Sequence, residues 1–102
     1  MKLALTVWRN RISPLFDSAR EILIADIQGK RIAAMHMELF ESESAFSRAA
    51  RLEDLNVDVL ICGGISDFYA RLIEARKIDI VPFVTGTVEK VLEGFMNGDV
   101  RP

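Results

Sequence analysis

The chain has a single cysteine, Cys62, in 102 residues, so no internal disulfide can form, and no cysteine pair is spaced for a zinc knuckle or a redox couple. A reducing, cytoplasmic setting is the natural expectation. Histidine is equally scarce: His36 stands alone, which leaves no histidine cluster for a metal and no second imidazole for a hydrolytic relay. Charge of one sign is also missing, because 13 basic and 15 acidic residues nearly cancel to a net charge of -2. A field that weak pulls neither on nucleic acid nor on an anionic membrane. No apolar run approaches the roughly 20 residues that a membrane helix needs. The opening MKLALTVW is interrupted by Thr6 and stops at Arg9, Asn10 and Arg11 without a small-residue cleavage pattern, so it reads as a strand and not as a signal peptide.

What is present is core. Half of the residues are hydrophobic, enough for one domain spanning residues 1–102. Lys2 to Trp8 alternates with both sides mostly apolar, as a central strand covered on two faces would. Arg9 to Ser18 carries Asn10, Ser13, Pro14 and Asp17 and reads as a ten-residue loop pinned by Phe16. Arg20 to Ile27 and Arg31 to Leu39 are two strands joined by Gln28, Gly29 and Lys30. The polar second face of the latter (Ile32, Ala34, His36, Glu38) marks it as an edge. Its methionines, Met35 and Met37, read as packing and His36 as a surface residue, since alternation denies all three to one metal.

Ser42 or Ser44 can cap a first helix whose Ala45, Ala49 and Leu52 recur at helical spacing beside Phe46 and Leu55. Val57 to Cys62 is a short apolar run suited to a buried parallel strand, ended by Gly63 and Gly64. Ser66 then caps a helix with Phe68, Leu72 and Ala75 as its inner stripe. Ile78 to Phe83 is a strand, and Val88, Val91, Leu92 and Phe95 form the stripe of a third helix stopped by Asn97 and Gly98. The fold class is therefore α/β, a three-layer α/β/α arrangement with a mixed five-stranded sheet, one antiparallel strand and three helices.

In such sheets ligands bind beyond the carboxyl ends of the parallel strands. That edge gathers Trp8 to Ser18, Cys62 to Ser66 and Phe83 to Thr87. Gly63, Gly64 and the capping Ser66 offer backbone amides to an anion, against the plainer reading of a tight turn. Arg9 and Arg11, with Arg20, add positive charge or form a solvated loop. Cys62 is either a thiolate and soft-metal ligand helped by the following helix N-terminus, or a small core residue. A nuclease is excluded by the lack of converging carboxylates: the first strand has no acid, and Asp58 lies at the wrong end of its strand.

The opening LALTVW, the stretch RISPLFDSAREILIADI, the strand DVLICGGIS and the tail IDIVPFVTGTVEKVLEGFMNG together resemble the dinitrogenase iron-molybdenum cofactor biosynthesis family, over residues 1–98. That family includes the NifX and NafY types. The resemblance implies a ribonuclease H-like fold and a non-catalytic accessory protein that carries an iron-sulfur or iron-molybdenum cluster between cofactor-assembly proteins. It also implies a His-Phe-Gly-x-Ala pattern in the first loop, whose histidine holds the cluster. Leu15-Phe16-Asp17-Ser18-Ala19 lines up with it, so Leu15 stands at the histidine position and Asp17 is an oxygen donor or a loop-ordering carboxylate. The expected cofactor-binding set is Arg9, Arg11, Asp17, Cys62, Gly63, Gly64 and Ser66, with Cys62 as the metal ligand. The alternative is a metal-free interaction or regulatory module, monomeric or homodimeric, anchored by Trp8, Leu15 and Phe16.

Overall fold

A computed structural model describes residues 1–100, so the last two residues of the expected domain lie outside the described residues. Strand β1 (Lys2–Trp8) is the spine. A two-residue strand β2 (Arg11–Ile12) folds straight back on it, and a 3-10 turn (Phe16–Ser18) leads into β3 (Glu21–Gln28) and β4 (Arg31–Leu39). Helix α1 (Ala45–Asp54), strand β5 (Val59–Ile61), helix α2 (Asp67–Glu74), strand β6 (Asp79–Val81) and helix α3 (Val88–Met96) follow. Ser44 and Thr87 cap α1 and α3 by accepting from the Ser47 and Lys90 amides, the role for which short hydroxyl side chains are favoured.

The sheet order is β4-β3-β1-β5-β6, with β2 paired to β1 at the side. Strand β3 runs antiparallel to both β1 and β4, while β5 is parallel to β1 and β6 to β5. Of the five strands on that path only β3 runs against the rest, as expected; the sixth, β2, lies inside the segment read as loop. It forms because Arg9 and Asn10 both take positive φ, 51° and 62°, and turn the chain in two residues so that Val7 faces Ile12. That turn normally calls for Asn-Gly, so its presence at Arg9 was invisible to composition.

Alternation along β1 splits the core in two. Ala4 joins Ile22, Ile24, Leu60 and Cys62 beneath α1 and α2, through Ala49, Leu52 and Ile73. Leu3, Leu5 and Val7 join Ala25, Val59 and Ile61 beneath α3, through Val88, Val91 and Leu92. This is the three-layer arrangement. One helix stripe departs from expectation: α2 buries Ile73, while Phe68 and Ala75 are exposed. Phe68 instead meets Phe46 of α1 edge to face at the surface, with centroids 5.9 Å apart. Met35 and Met37, expected to pack, are exposed as well, lying outside the cluster beneath α3 on the last strand of the sheet.

Candidate functional site

The edge at which β1, β5 and β6 end is shaped by the segment Ser13–Ser18. Pro14 and Leu15 cross over the Gly63-Gly64 turn, with the Gly64 amide donating to the Pro14 carbonyl at 2.8 Å and the Phe16 amide donating to the Gly64 carbonyl at 2.7 Å. Leu15 and Gly64 form an isolated parallel bridge. The approach is close enough that a Cβ on Gly63 would stand 2.5 Å from the Ser13 and Pro14 carbonyl oxygens, so glycine is required there by space alone. One residue set further along, the Ser66 amide donates to Asp17 Oδ1 at 3.1 Å.

These bonds revise the expected anion cradle. The Gly64 and Ser66 amides are occupied by the protein's own first loop, and the Gly63 Cα face is covered by backbone. Asp17 orders the loop, its carboxylate held at the start of α2 where the helix dipole favours negative charge. Cys62 is corrected more sharply. Its side chain points into the cluster beneath α1 and α2 and is 0% exposed. Burial, with a smaller push from the Asp17 carboxylate, raises the thiol to about 12. The helix N-terminus expected to favour a thiolate is outweighed by desolvation, and the group is a protonated core thiol.

The residues at the solvent side are different ones. Two depressions flank Pro14. One, of about 560 Å³, is lined by Trp8, Ser13, Pro14, Arg20, Glu21 and Leu39, among others. The second, of about 370 Å³, is lined by Arg11, Pro14, Gly63, Gly64, Phe83 and Thr85, among others. Arg9 stacks over the Trp8 ring at 4.6 Å, and Trp8 is 53% exposed. Phe83 is 76% exposed and carries a φ of 62°. A bulky residue seldom accepts that conformation, and backbone held in such sparsely populated regions clusters at functional sites. The structure thus brings Arg20 to one depression and Arg11 to the other, leaves Arg9 stacked on the Trp8 ring outside the lining of both, and turns Cys62 away from them. Phe16, an expected anchor for partners, is fully buried.

A buried arginine beneath this edge carried no signal in the sequence. Arg48 is 2% exposed, its Nη1 donating to the Phe16 carbonyl at 2.9 Å and its Nε to the Ser42 carbonyl at 3.0 Å. Its guanidinium lies over Phe40 at 4.5 Å and Phe16 at 5.8 Å. Burial pulls its pKa below the usual guanidinium value, with Tyr69, Glu43 and Asp17 opposing. The charge is tolerated because carbonyl oxygens and ring faces replace water around it. Read as a sequence, an arginine in a helix belongs to the wet face.

Among the described residues no three His, Cys, Asp or Glu side chains are placed to share a metal ion. No helix among them is long and apolar enough to cross a membrane.

The architecture is that of a three-layer α/β domain with its open edge at the ends of the parallel strands, a class whose members bind at that edge. A family model described as dinitrogenase iron-molybdenum cofactor matches residues 1–98, and the chain belongs to that family. Solved structures share the fold. The crystal structure of PH0822 superposes with a TM-score of 0.92 at 18% identity, over 99% of this chain and 93% of that one. A Methanococcus jannaschii protein provisionally named a dinitrogenase (MJ0327) gives a TM-score of 0.78 at 26% identity, over 98% and 90% of the two chains. The apo form of the orange protein from Desulfovibrio gigas gives 0.76 at 19% identity, also over 98% and 90%. No curated protein matches the sequence.

Proposed function

We propose that this protein is a small, non-catalytic carrier that receives an anionic iron-sulfur or iron-molybdenum cluster, as cargo, at the carboxyl edge of its sheet and passes it between cofactor-assembly proteins. The observation that carries the reading is the division of labour at that edge. Arg11 and Arg20 each line one of two open depressions, and Arg9 stacks on Trp8 at the rim of the depression that Arg20 lines, while the one thiol is sealed in the core. Cargo is held by guanidinium charge, by the exposed rings of Trp8 and Phe83, and by shape, not by bonds from protein to metal. Several arginines around a partly apolar basin suit a polyanion whose charge is spread over sulfurs, because such an ion is weakly hydrated and meets ring faces and guanidinium planes at low desolvation cost. Leu15, at the position where the family pattern has histidine, is exposed beside Gly64 and supplies apolar surface in place of a coordinate bond.

Family membership supports the cluster as cargo, and the basic, aromatic edge supports its place. Anaerobic reconstitution with ferrous iron, sulfide and molybdate, followed by gel filtration, elemental analysis and an optical spectrum, tests both. Metal and sulfide are expected to elute with the protein, with absorption unchanged in Cys62→Ala. Affinity is expected to fall about tenfold or more in an Arg9→Ala, Arg11→Ala, Arg20→Ala triple variant, since each tenfold step is only about 1.4 kcal/mol. Protein that stays metal-free, or uptake indifferent to the arginines, overturns the proposal. In that case the metal-free interaction module stands, with exposed Trp8 and Leu15 as its anchors.

A further inference from the structure

We propose that two copies of this chain pair through β4, antiparallel, with the two-fold axis passing at His36, so that the sheets join into one continuous sheet. The inference is independent of the cargo. Strand β4 is the last strand on its side of the sheet and, at nine residues, the longest in the fold. Its outward-facing amides and carbonyls have no ladder partner among the described residues. Edges of that kind are normally blunted by proline, by lysine, by a β-bulge or by a very short strand. A register shift at Ala33 interrupts the first part of β4, but residues 34–39, Ala-Met-His-Met-Glu-Leu, run without a shift and contain neither proline nor lysine.

Side chains make the edge adhesive on one face. Met35, Met37 and Leu39 are 52%, 48% and 58% exposed, and they lie on the α3 side of the sheet, across from Ala25, Leu23 and Glu21 of β3, at the outer margin of the cluster beneath α3. In an antiparallel pair centred at His36, Met35 of each copy stands opposite Met37 of the other, and the two remove one another from water.

Charge selects the occupant and its direction. The strand is basic where it begins, at Lys30 and Arg31, and acidic just past its end, at Glu41, while Glu38 is already paired with Arg51 and His36. A second copy laid antiparallel sets each basic end beside the other's acidic end, twice, whereas a parallel copy would set like beside like. A strand carrying its own complement is fitted to itself, and a closed two-fold pair consumes both edges.

Sedimentation velocity on the full chain, up to several hundred micromolar, reads the outcome. A monomer-dimer equilibrium is expected. A Met35→Lys, Met37→Lys variant, altered only at exposed positions, should keep its circular dichroism and raise the dissociation constant at least about tenfold. His36→Cys, which sets the two new thiols opposite each other across the axis, should give a disulfide-linked dimer on oxidation. The unaltered chain, whose one thiol is buried, should give none, and neither should Phe46→Cys on the far helix layer. A chain that stays monomeric overturns the proposal, including the case in which β4 accepts only a strand from a different protein. So does a dimer untouched by the lysines or cross-linked equally through Phe46→Cys.

Discussion

The Arg48 guanidinium and the Phe16 carbonyl, 32 residues apart, meet at 2.9 Å inside the core. That bond ties the loop at the sheet edge to the first helix, with the cation lying over the ring of the residue whose carbonyl it holds. Arg48→Met keeps much of the apolar stem but leaves the Phe16 carbonyl without its donor, a loss of about 1–3 kcal/mol. Arg48→Lys should lose less, since an ammonium supplies charge but not a fork that reaches two carbonyls. Urea denaturation of both variants measures the order, and an unchanged midpoint in Arg48→Met would contradict it.

Cys62 should be silent toward a thiol reagent in the native protein and react fully in denaturant. The same burial sets an alkaline limit. Unfolded, the thiol ionises near 9.0; folded, near about 12. Below 9 both states hold the proton and the group contributes no pH dependence. Between 9 and 12 the unfolded chain binds fewer protons, so stability falls as pH rises, by at most about 1.4 kcal/mol per pH unit. Denaturation midpoints followed from pH 8 upward should show that slope, and Cys62→Ala should remove its share.

The two glycines after β5 should behave unlike each other. Gly63→Ala drives a methyl into the Ser13 and Pro14 carbonyls at 2.5 Å, where only backbone can yield, and should cost about 1–3 kcal/mol. Gly64→Ala meets nothing nearer than 3.5 Å and should change stability by well under that. Thermal melts of the pair decide it.

Asp17 should matter as an acceptor more than as a charge. Asp17→Ala removes the partner of the Ser66 amide and should cost about 1 kcal/mol, while Asp17→Asn keeps a carbonyl oxygen there and should recover most of it. Hydrogen exchange at the Ser66 amide is the direct readout: protection lost in the alanine variant and retained in the asparagine variant.

Much of the architecture was legible because alternation is a strong signal when both faces are apolar. Lys2–Trp8 and Arg31–Leu39 have the bounds their patterns imply, and Ser44 and Ser66 mark where the first two helices begin, although the Ser66 side chain makes no capping bond. The misses share one physical cause, tertiary contact overriding local pattern. The Arg9–Asn10 turn has no glycine, yet the Asn10 carbonyl accepts from the Val88 amide at the start of α3, and the Ile12 amide donates to the Gly86 carbonyl, which hold the strained hairpin in place. Over eight residues, α2 is too short for periodicity to fix its phase, and Phe68 turned outward to meet Phe46.

The site divided along the same line. Charge at the edge could be read from Arg9 and Arg11, since arginines beside a proline-bearing loop have little apolar surface to bury them. The orientation of Cys62 could not, because a residue at the end of a strand points to either layer with equal ease until its neighbours are known. Nor could the filling of the Gly64 and Ser66 amides, which depends on a segment about 50 residues earlier in the chain.

With its sulfhydryl walled off, the polypeptide offers oxidants a different target. Peroxide arriving from solvent finds the thioethers of Met35 and Met37 on the outermost strand open to it, as it does that of Met1, and each oxygen added on that strand makes an oily side chain polar. Wear in air would therefore show as a change in how the edge adheres, long before the interior is touched.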